Sequence, residues 1–291
     1  MNTSAYTPKQ ILGIDWGTSN RRAYLIDANG ACTLRHSDDQ GMLAVRPHFA
    51  QSIEDLLAAM GLPSDTPVIA SGMVGSAQGW HEVPYLDASV PLRKLPQHLL
   101  RVAPDRFIVP GYCQRGEDID VMRGEETQLL GALALGHADG WVVLPGTHSK
   151  WVLLRDGVIQ QIRTFMTGEL YATLGAHGTL APLMGGPESE AAFAEGMQAA
   201  RRRAPLSNAL FRVRARVVAG AMPAADARSF LSGLLIGTEF VAAQDASDTI
   251  ISIASPALQQ LYATAAAQFG LQLDGLDPDR VYCAALARFF D

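Results

Sequence analysis

Asp15-Trp16-Gly17-Thr18-Ser19-Asn20 lies between two short apolar stretches, Ile11–Asp15 and Arg22–Ile26. Apolar stretches on both sides of a polar turn with a glycine are typical of a β-hairpin. Gly17 lets the backbone approach a ligand closely, and the three polar residues after it supply donors of the kind that bind phosphate. Asp15 could hold Mg²⁺ or its water ligands. An ordinary turn between two strands fits the same six residues equally well, because short glycine motifs are common.

A second turn of the same design, Pro145-Gly146-Thr147-His148-Ser149-Lys150, also lies between two strand-like stretches. Aligning the two Gly-Thr pairs brings the surrounding elements into the same order, which indicates an internal duplication of architecture. Two such hairpins could hold one triphosphate from both sides of a cleft, with Lys150 offsetting phosphate charge. His148 is more commonly a polar turn residue than a catalyst, because phosphoryl transfer depends mainly on positioning and charge.

The composition of the chain favours a folded protein with a large core. It has 291 residues, of which 48% are hydrophobic and 18% charged, and its net charge is −6. This length suits one large domain or two ordinary ones. An acidic chain has no overall attraction for nucleic acid or for an anionic membrane, so we expect neither as a partner. A break in the pattern at Gly136–Gly140 predicts a domain boundary, giving residues 1–138 and 139–291.

Cysteine usage and the apolar runs bear on the compartment. Cys32, Cys113 and Cys283 are odd in number and far apart, which predicts reduced thiols in a cytoplasmic protein. Residues 1–10 lack the charged and apolar regions of a signal peptide. No apolar run approaches the roughly 20 residues that span a bilayer. The run Phe230–Ile236 is instead interpreted as part of a buried helix.

The remaining pattern alternates strand-like and helix-like segments and therefore predicts an α/β protein. We expect further strands at Pro67–Ala70, Phe107–Val109, Val158–Ile162 and Thr249–Ala254, and helices at Ser52–Met60, Arg123–Leu135, Ser189–Arg203, Ala225–Ala243, Pro256–Phe269 and Asp279–Phe290. A hairpin at the start of each half argues against a simple doubly wound sheet.

Taken together, the motifs resemble those of the 2-dehydro-3-deoxygalactonokinase family, within the actin/hexokinase/Hsp70 superfamily. The resemblance runs from about residue 11 to about residue 240. Beside the two hairpins, the stretches that carry it are Gly72-Met73-Val74-Gly75-Ser76, Gly79-Trp80, Pro84-Tyr85-Leu86, Met122-Arg123-Gly124-Glu125-Glu126-Thr127-Gln128, Met166-Thr167-Gly168-Glu169-Leu170 and Phe230-Leu231-Ser232-Gly233-Leu234-Leu235-Ile236-Gly237.

The resemblance implies a two-lobed, ribonuclease-H-like (actin/hexokinase-type) α/β fold with a cleft between the lobes. The first lobe would carry the first phosphate hairpin and the sugar-acid pocket, and the second lobe the second hairpin and the nucleotide. It implies ATP and Mg²⁺ as cofactors. It also implies phosphorylation of the 6-hydroxyl of 2-dehydro-3-deoxy-D-galactonate in galactonate breakdown.

A sugar kinase needs a carboxylate near the acceptor hydroxyl, and Arg123-Gly124-Glu125-Glu126 fits that position by residue type. Neighbouring helical residues point about 100° apart, so only one of the two glutamates should face the substrate, and we favour Glu125. Both could instead be ordinary first-turn acids that stabilise the helix dipole. Arg123 and Arg22 are candidate partners of the substrate carboxylate, with surface salt bridges as the alternative.

Three further segments complete the predicted site. Gly72-Met73-Val74-Gly75 would form a backbone-lined loop against the sugar acid, or else serve only as a strand connection. Thr167 and Glu169 could shape or close the sugar-acid pocket. After the strand Thr249–Ala254, superfamily kinases usually carry a glycine-rich turn beside the adenosine, whereas this chain has Ser255-Pro256-Ala257-Leu258.

Two other functions remain open from the sequence. One is a kinase for a different sugar acid or for a ketose, and the other is a non-catalytic sugar-acid sensor with the same fold. The sequence also leaves open whether the chain forms a homodimer.

Overall fold

The computed structural model describes residues 10–243 and 249–290. The expectation that the N-terminus lacks a signal peptide rests almost wholly on residues 1–9, which lie outside the described residues.

Within these ranges, short strands are spread over the whole chain. They are β1 (Gln10–Trp16), β2 (Arg21–Asp27), β3 (Cys32–Asp38), β4 (Val68–Gly72), β5 (Leu86–Asp87), β6 (Leu100–Ala103), β7 (Arg106–Ile108), β8 (Tyr112–Gln114), β9 (Asp120–Met122), β10 (Gly140–Leu144), β11 (Ser149–Arg155), β12 (Val158–Phe165), β13 (Thr249–Ile253) and β14 (Gln272–Leu276).

The α-helices lie mostly between and after the strands. They are α1 (Met42–Val45), α2 (Phe49–Ala59), α3 (Glu125–Ala134), α4 (Thr167–Ala176), α5 (Glu190–Ala200), α6 (Leu206–Val218), α7 (Ala227–Ala242), α8 (Pro256–Gln268) and α9 (Pro278–Ala287). Short 3₁₀ helices lie at Met73–Gly75, Leu92–His98, Ala181–Leu183 and Ala224–Asp226.

The first large sheet has the order β3-β2-β1-β4-β7-β6. β1 pairs antiparallel with β2 and parallel with β4, and β4 pairs parallel with β7. The strand β1 is therefore central and nearly fully buried, with Leu12, Ile14 and Trp16 in the core. The helix α2 covers this core with its apolar side, on which Phe49 meets Trp16 edge to face at 5.7 Å between ring centres.

The second large sheet has the order β12-β11-β10-β13-β14. β10 pairs parallel with β13, and β13 pairs parallel with β14. This order repeats that of β3-β2-β1-β4-β7 in the first sheet, strand for strand. The duplication predicted from the two Gly-Thr turns therefore extends to the whole sheet, and each turn follows the central strand of its own sheet.

The helix α7 carries the apolar run that the sequence assigned to a buried helix, and it is buried along most of its length. It packs closely on α5, because Gly233 and Gly196 leave room for the neighbouring backbone at Phe193 and Phe230. With 16 residues it is the longest described helix. No helix in the described ranges is both long enough and apolar enough to cross a membrane.

The chain divides into two compact units that are not contiguous in sequence. The first comprises residues 1–139, 152–162 and 277–291, and the second comprises residues 140–151 and 163–276. The predicted cut after residue 138 lies next to the end of the first segment, but a single cut does not describe the units. The reason is packing, since α9 returns from the end of the chain to lie against α3 and β2.

Several elements differ from the sequence-based expectation. The helix predicted from Arg123 begins at Glu125, because Gly124 has a φ of 109° that ends the extended segment before it. The elements that were not predicted are the strands β3, β5, β6, β8, β9 and β14 and the helices α1, α4 and α6. The strands β3 and β14 are largely exposed edge strands, so they lack the apolar runs that marked the central strands.

The close packing of α3 on α9 gives a test of the fold. A Cβ atom on Gly131 would overlap the carbonyl oxygen of Val281, so we expect Gly131→Ala to lower the free energy of unfolding by about 2 kcal/mol. The matched control is Gly175→Ala in α4, where a Cβ would make only an ordinary contact with Met184. The control should be neutral or slightly stabilising, since alanine favours helix. Urea unfolding measures both, and equal effects would contradict the packing argument.

Candidate functional site

The first hairpin turn is held by the backbone and leaves its polar side chains outside. The amide of Gly17 donates to the carbonyl of Asn20 at 3.0 Å, and the amides of Met42 and Leu43 donate to the carbonyls of Gly17 and Thr18. Thr18, Ser19 and Asn20 are all exposed. The turn is therefore fixed in shape while its hydroxyl and amide groups stay available to a ligand.

Asp15, at the end of β1, forms an ion pair with Arg22 of the neighbouring strand. Nη2 of Arg22 lies 2.6 Å from Oδ2 of Asp15, and the two residues are register partners. Asp15 is 19% exposed and Arg22 is 43% exposed. In this structure the guanidinium of Arg22 is therefore paired with Asp15. Its predicted role as partner of a substrate carboxylate stays a prediction.

The loop after β4 lies beside the end of β1 because the two strands pair in parallel, with Trp16 opposite Gly72. Gly72 has a φ of 91°, and a Cβ there would lie 2.7 Å from the carbonyl oxygen of Trp16. Gly124 in turn lies close to Gly72, since a Cβ on Gly124 would be 3.3 Å from Cα of Gly72. The structure thus brings Gly72–Gly75 and the Arg123–Glu126 segment together at the carboxyl end of β1, where α/β sheets commonly bind ligands.

Arg123 follows β9 and is only partly satisfied. Its Nη2 donates to the carbonyl of Val83 at 2.7 Å, and its guanidinium stacks on Tyr85 at 4.3 Å from the ring centre. Its Nε and Nη1 atoms are shielded from solvent and have no hydrogen-bond partner. Unmet guanidinium donors of this kind suit a carboxylate ligand.

The two glutamates at the start of α3 have different surroundings. Oε2 of Glu125 accepts from the amide of Arg123 at 3.0 Å, and this residue is partly exposed. Oε2 of Glu126 accepts from the amide of Gly124 at 2.6 Å, but Glu126 is 0% exposed. Burial, together with the neighbouring charge of Glu125, raises the pKa of Glu126 to about 8. Only Glu125 can reach a ligand without a rearrangement of the helix start.

The second hairpin is packed against the first turn of α4. The amide of Glu169 donates to the carbonyl of Thr147 at 2.9 Å, and a side chain on Gly168 would overlap the carbonyl of Gly146. Nε2 of His148 lies 2.6 Å from Oε2 of Glu169, with both side chains about half exposed. Glu169 therefore lies at the second hairpin, and its predicted role in the sugar-acid pocket stays a prediction.

Lys150 is buried rather than displayed on the turn. It is 6% exposed, and its Nζ donates to Oγ1 of Thr164 on β12 at 2.8 Å. Contact with a phosphate would require the ammonium group to leave this position. Its predicted phosphate role stays a prediction.

A buried carboxylate that sequence reasoning missed lies behind the second hairpin. Glu239 of α7 accepts hydrogen bonds from Ser149, Trp151, Tyr262 and Thr167. The sequence carried a signal for it, since a lone glutamate in an otherwise apolar helical stretch is seldom buried without partners.

The second unit also contains a cavity of about 370 Å³ next to the second hairpin. Pro145 and Gly146 form one wall, residues of α4 including Thr167 and Gly168 form another, and residues of α5, α7 and α8 line most of the rest. Ala257 and Leu258, which stand where a glycine-rich turn was expected, are among the lining residues. This volume falls in the range of small-ligand pockets.

The described residues contain no group of three or more His, Cys, Asp or Glu side chains that could hold a metal ion. Kinases commonly bind Mg²⁺ through substrate phosphates with one or two carboxylates. Asp15 fits that smaller requirement, because it is partly exposed at a strand end beside the first turn.

The raised pKa of Glu126 predicts how stability depends on pH. Between the ordinary glutamate pKa and about 8, the folded chain holds a proton that the unfolded chain has lost. Stability therefore falls as pH rises through this window, by up to about 1.4 kcal/mol per pH unit. Glu126→Gln keeps an acceptor for Gly124 and lacks the charge, so its stability relative to wild type should increase from pH 5 to pH 8.

Urea unfolding at several pH values between 5 and 8 measures this effect. The control is Ser71→Ala, which removes a buried neutral hydroxyl from β4 in the same unit. The difference in the free energy of unfolding between Ser71→Ala and wild type should not change with pH. A pH-independent offset for Glu126→Gln would contradict the burial of an ionisable group there.

Comparison with known sequences shows which family the chain resembles. The sequence profile of the 2-keto-3-deoxy-galactonokinase family, an alternative name for 2-dehydro-3-deoxygalactonokinase, matches residues 15–289. A Rhizobium meliloti (strain 1021) protein named a probable 2-dehydro-3-deoxygalactonokinase is 37% identical over 99% of this chain and 97% of its own. The Escherichia coli (strain K12) 2-dehydro-3-deoxygalactonokinase is 33% identical over 94% of this chain and 95% of its own.

Solved structures agree with this result. A crystal structure from Sinorhizobium meliloti, described as a 2-dehydro-3-deoxygalactonokinase candidate, matches with a TM-score of 0.89 and 37% identity, covering 96% of this chain and 95% of that one. The activator of the 2-hydroxyisocaproyl-CoA dehydratase from Clostridium difficile shares the fold alone, with a TM-score of 0.55 and 12% identity over 97% of this chain and 94% of that one.

The predicted ribonuclease-H-like α/β fold class is confirmed by these matches and by the strand order shared by the two sheets. The motif-based resemblance is confirmed as well. Since the family profile covers nearly the whole chain, and two relatives exceed 30% identity over at least 94% of it, the chain belongs to the 2-keto-3-deoxy-galactonokinase family.

Proposed function

We propose that this protein transfers the γ-phosphoryl group of ATP to the 6-hydroxyl of 2-dehydro-3-deoxy-D-galactonate, giving 2-dehydro-3-deoxy-6-phospho-D-galactonate and ADP. Family membership supports the reaction class and the sugar acid as acceptor.

The observation that carries the proposal is the unsatisfied guanidinium of Arg123. Arg123 is partly buried, and leaving two solvent-shielded guanidinium nitrogens without hydrogen bonds is costly, whereas a substrate carboxylate would satisfy them with charge-assisted hydrogen bonds. Both atoms are shielded, so binding requires the side chains over them to move, including Tyr85, which stacks on the group. A neutral sugar would leave these donors unpaired, which gives a physical reason for choosing a sugar acid.

Glu125 is the proposed general base. It is partly exposed, it is the first residue of α3, and it lies two residues after Arg123 in the chain. In this role its carboxylate accepts the proton of the 6-hydroxyl as the hydroxyl oxygen bonds to the γ-phosphorus and the bond to the β-phosphate oxygen breaks. Glu126, buried behind it, maintains the conformation of the helix start through its bond to Gly124.

The second unit supplies the proposed nucleotide contacts. The cavity of about 370 Å³ would take the adenosine, since apolar side chains of α7 and α8 line it and Gly146 of the second turn forms part of its wall. The backbone around Gly146 and Thr147 would then meet the phosphates. Within the first unit, the exposed turn Thr18–Asn20 carries hydroxyl and amide groups of the kind that bind phosphate.

Mg²⁺ would be held mainly by the phosphates of ATP, with Asp15 as its protein partner or as partner of its water. When bound, the ion would neutralise charge that develops on the phosphates. Three free cysteines fit a reducing compartment, which supports a cytoplasmic location. A homodimer stays a prediction.

The function is tested by coupled ADP release with a panel of acceptors. We expect turnover with 2-dehydro-3-deoxy-D-galactonate and little with neutral ketoses. Arg123→Met should raise KM for the sugar acid by about 10- to 100-fold, because it removes a charge-assisted pair. The control Arg35→Met removes an exposed arginine that pairs with Asp279 and should change KM little.

The other outcomes would point to other functions. Preference for a neutral sugar, or an unchanged KM in Arg123→Met, would contradict the carboxylate contact. Binding of the sugar acid without ADP release would indicate a sensor instead of an enzyme.

Replacing each glutamate at the start of α3 distinguishes the two candidate bases. Glu125→Gln should lower kcat by about 10²- to 10⁴-fold with little change in either KM, because it removes the proton acceptor. Glu126→Gln should lower kcat less than about tenfold, since this residue is fully buried. Steady-state kinetics measures both variants, and a larger loss in Glu126→Gln would reverse the assignment.

A further inference from the structure

Glu239 is a carboxylate that the proposed reaction does not use, and it has an unusual set of partners. It is 0% exposed. Its Oε2 accepts from Oγ of Ser149 and from Nε1 of Trp151, each at 2.8 Å. Its Oε1 accepts from the hydroxyl of Tyr262 at 2.7 Å and from the hydroxyl of Thr167. All four of these donors are neutral.

The four donors come from three different elements, all within the second unit. Ser149 and Trp151 are the first and third residues of β11, which begins within the second turn. Thr167 is the first residue of α4, and Tyr262 lies on α8. Both of these residues line the cavity. One carboxylate on α7 therefore joins the turn to two walls of the cavity.

Stability alone gives a weak reason for this arrangement. A buried carboxylate without a cationic partner is costly, and well-packed apolar residues often serve a core better. Burial raises the pKa of Glu239, which reflects that cost. What the carboxylate adds is direction, because each hydrogen bond fixes the angle and distance of one donor side chain.

We propose that Glu239 is a positioning residue for nucleotide binding, which acts through Ser149, Thr167 and Tyr262. It sets the second phosphate turn and the start of α4 in the geometry that receives the phosphates and the adenosine of ATP. The inference rests on the proposed function only in that the second unit binds the nucleotide. The inference predicts that replacing Glu239 weakens the binding of ATP and leaves the binding of the sugar acid unchanged.

The chemistry of the donors defines an informative substitution. The indole nitrogen of Trp151 can only donate, so the glutamine of Glu239→Gln must turn its carbonyl oxygen toward Ser149 and Trp151. Its amide group then faces Thr167 and Tyr262, whose hydroxyls can rotate to accept. Glu239→Gln should therefore fold, and it should change the contacts on the cavity side.

The experiment measures binding and catalysis separately in the full chain. The probe for binding is the non-hydrolysable β,γ-imido analogue of ATP with Mg²⁺, titrated by calorimetry. Glu239→Gln should raise its Kd, and KM for ATP, by about tenfold, while KM for the sugar acid stays within about twofold. Ser149→Ala should also weaken binding of the analogue. In the double variant the Kd of the analogue should rise by less than the product of the two single increases, because both substitutions act through one hydrogen bond.

The matched control is Thr238→Ala, at the neighbouring residue on α7, whose hydroxyl donates to the carbonyl of Leu234 in the same helix and has no other partner among the described residues. It should leave both KM values unchanged. A lower melting temperature in Glu239→Gln with an unchanged Kd for the analogue would show a purely structural role and overturn the inference. An effect on KM for the sugar acid alone would do the same.

Failure of the proposed function is distinguishable from failure of the inference. If the wild-type chain binds the analogue and does not phosphorylate the sugar acid, the proposed function is wrong, and the Kd comparison still decides the role of Glu239. If the wild-type chain does not bind the analogue, the second turn is not a nucleotide site and the inference is overturned.

Discussion

The parallel pairing of β1 with β4 is the constraint on which the first unit's site depends. It places Trp16 opposite Gly72, so the turn after β1 and the loop after β4 begin at the same edge of the sheet. Gly72 and Gly124 then allow three backbone segments to approach within contact distance. A side chain at either glycine would push the segments apart, and Arg123 and Glu125 would lose their place beside the first hairpin.

The second unit repeats the sheet, but a buried carboxylate lies behind the turn at the equivalent edge. Its turn follows β10 as the first follows β1, in a sheet of the same strand order. Behind this turn, the carboxylate of Glu239 accepts hydrogen bonds from side chains of β11, α4 and α8. In the described residues the first turn is held by backbone hydrogen bonds to α1, whereas the second is also held by a buried carboxylate.

Part of the site could be predicted because its residues are contiguous. The hexapeptide from Asp15 to Asn20 and the turn from Gly146 to Lys150 have compositions that indicate their local conformation. Lys150 shows the limit of this reasoning, since its residue type suits phosphate while its side chain bonds to Thr164 on a neighbouring strand. Glu169 likewise pairs with His148, a partner that no spacing rule predicts.

The sequence by itself determined the central strands of the two large sheets, the two turns, the duplicated order of elements and the family, because these depend on local pattern and contiguous motifs. Only the tertiary structure decided that α9 belongs to the first unit, that Glu126 is buried while Glu125 is partly exposed, and that Glu239 is the centre of a hydrogen-bond network. The physical reason is that burial and partners depend on residues distant in the chain. Glu125 and Glu126 are chemically identical neighbours, and only packing buries Glu126 completely and thereby raises its pKa to about 8.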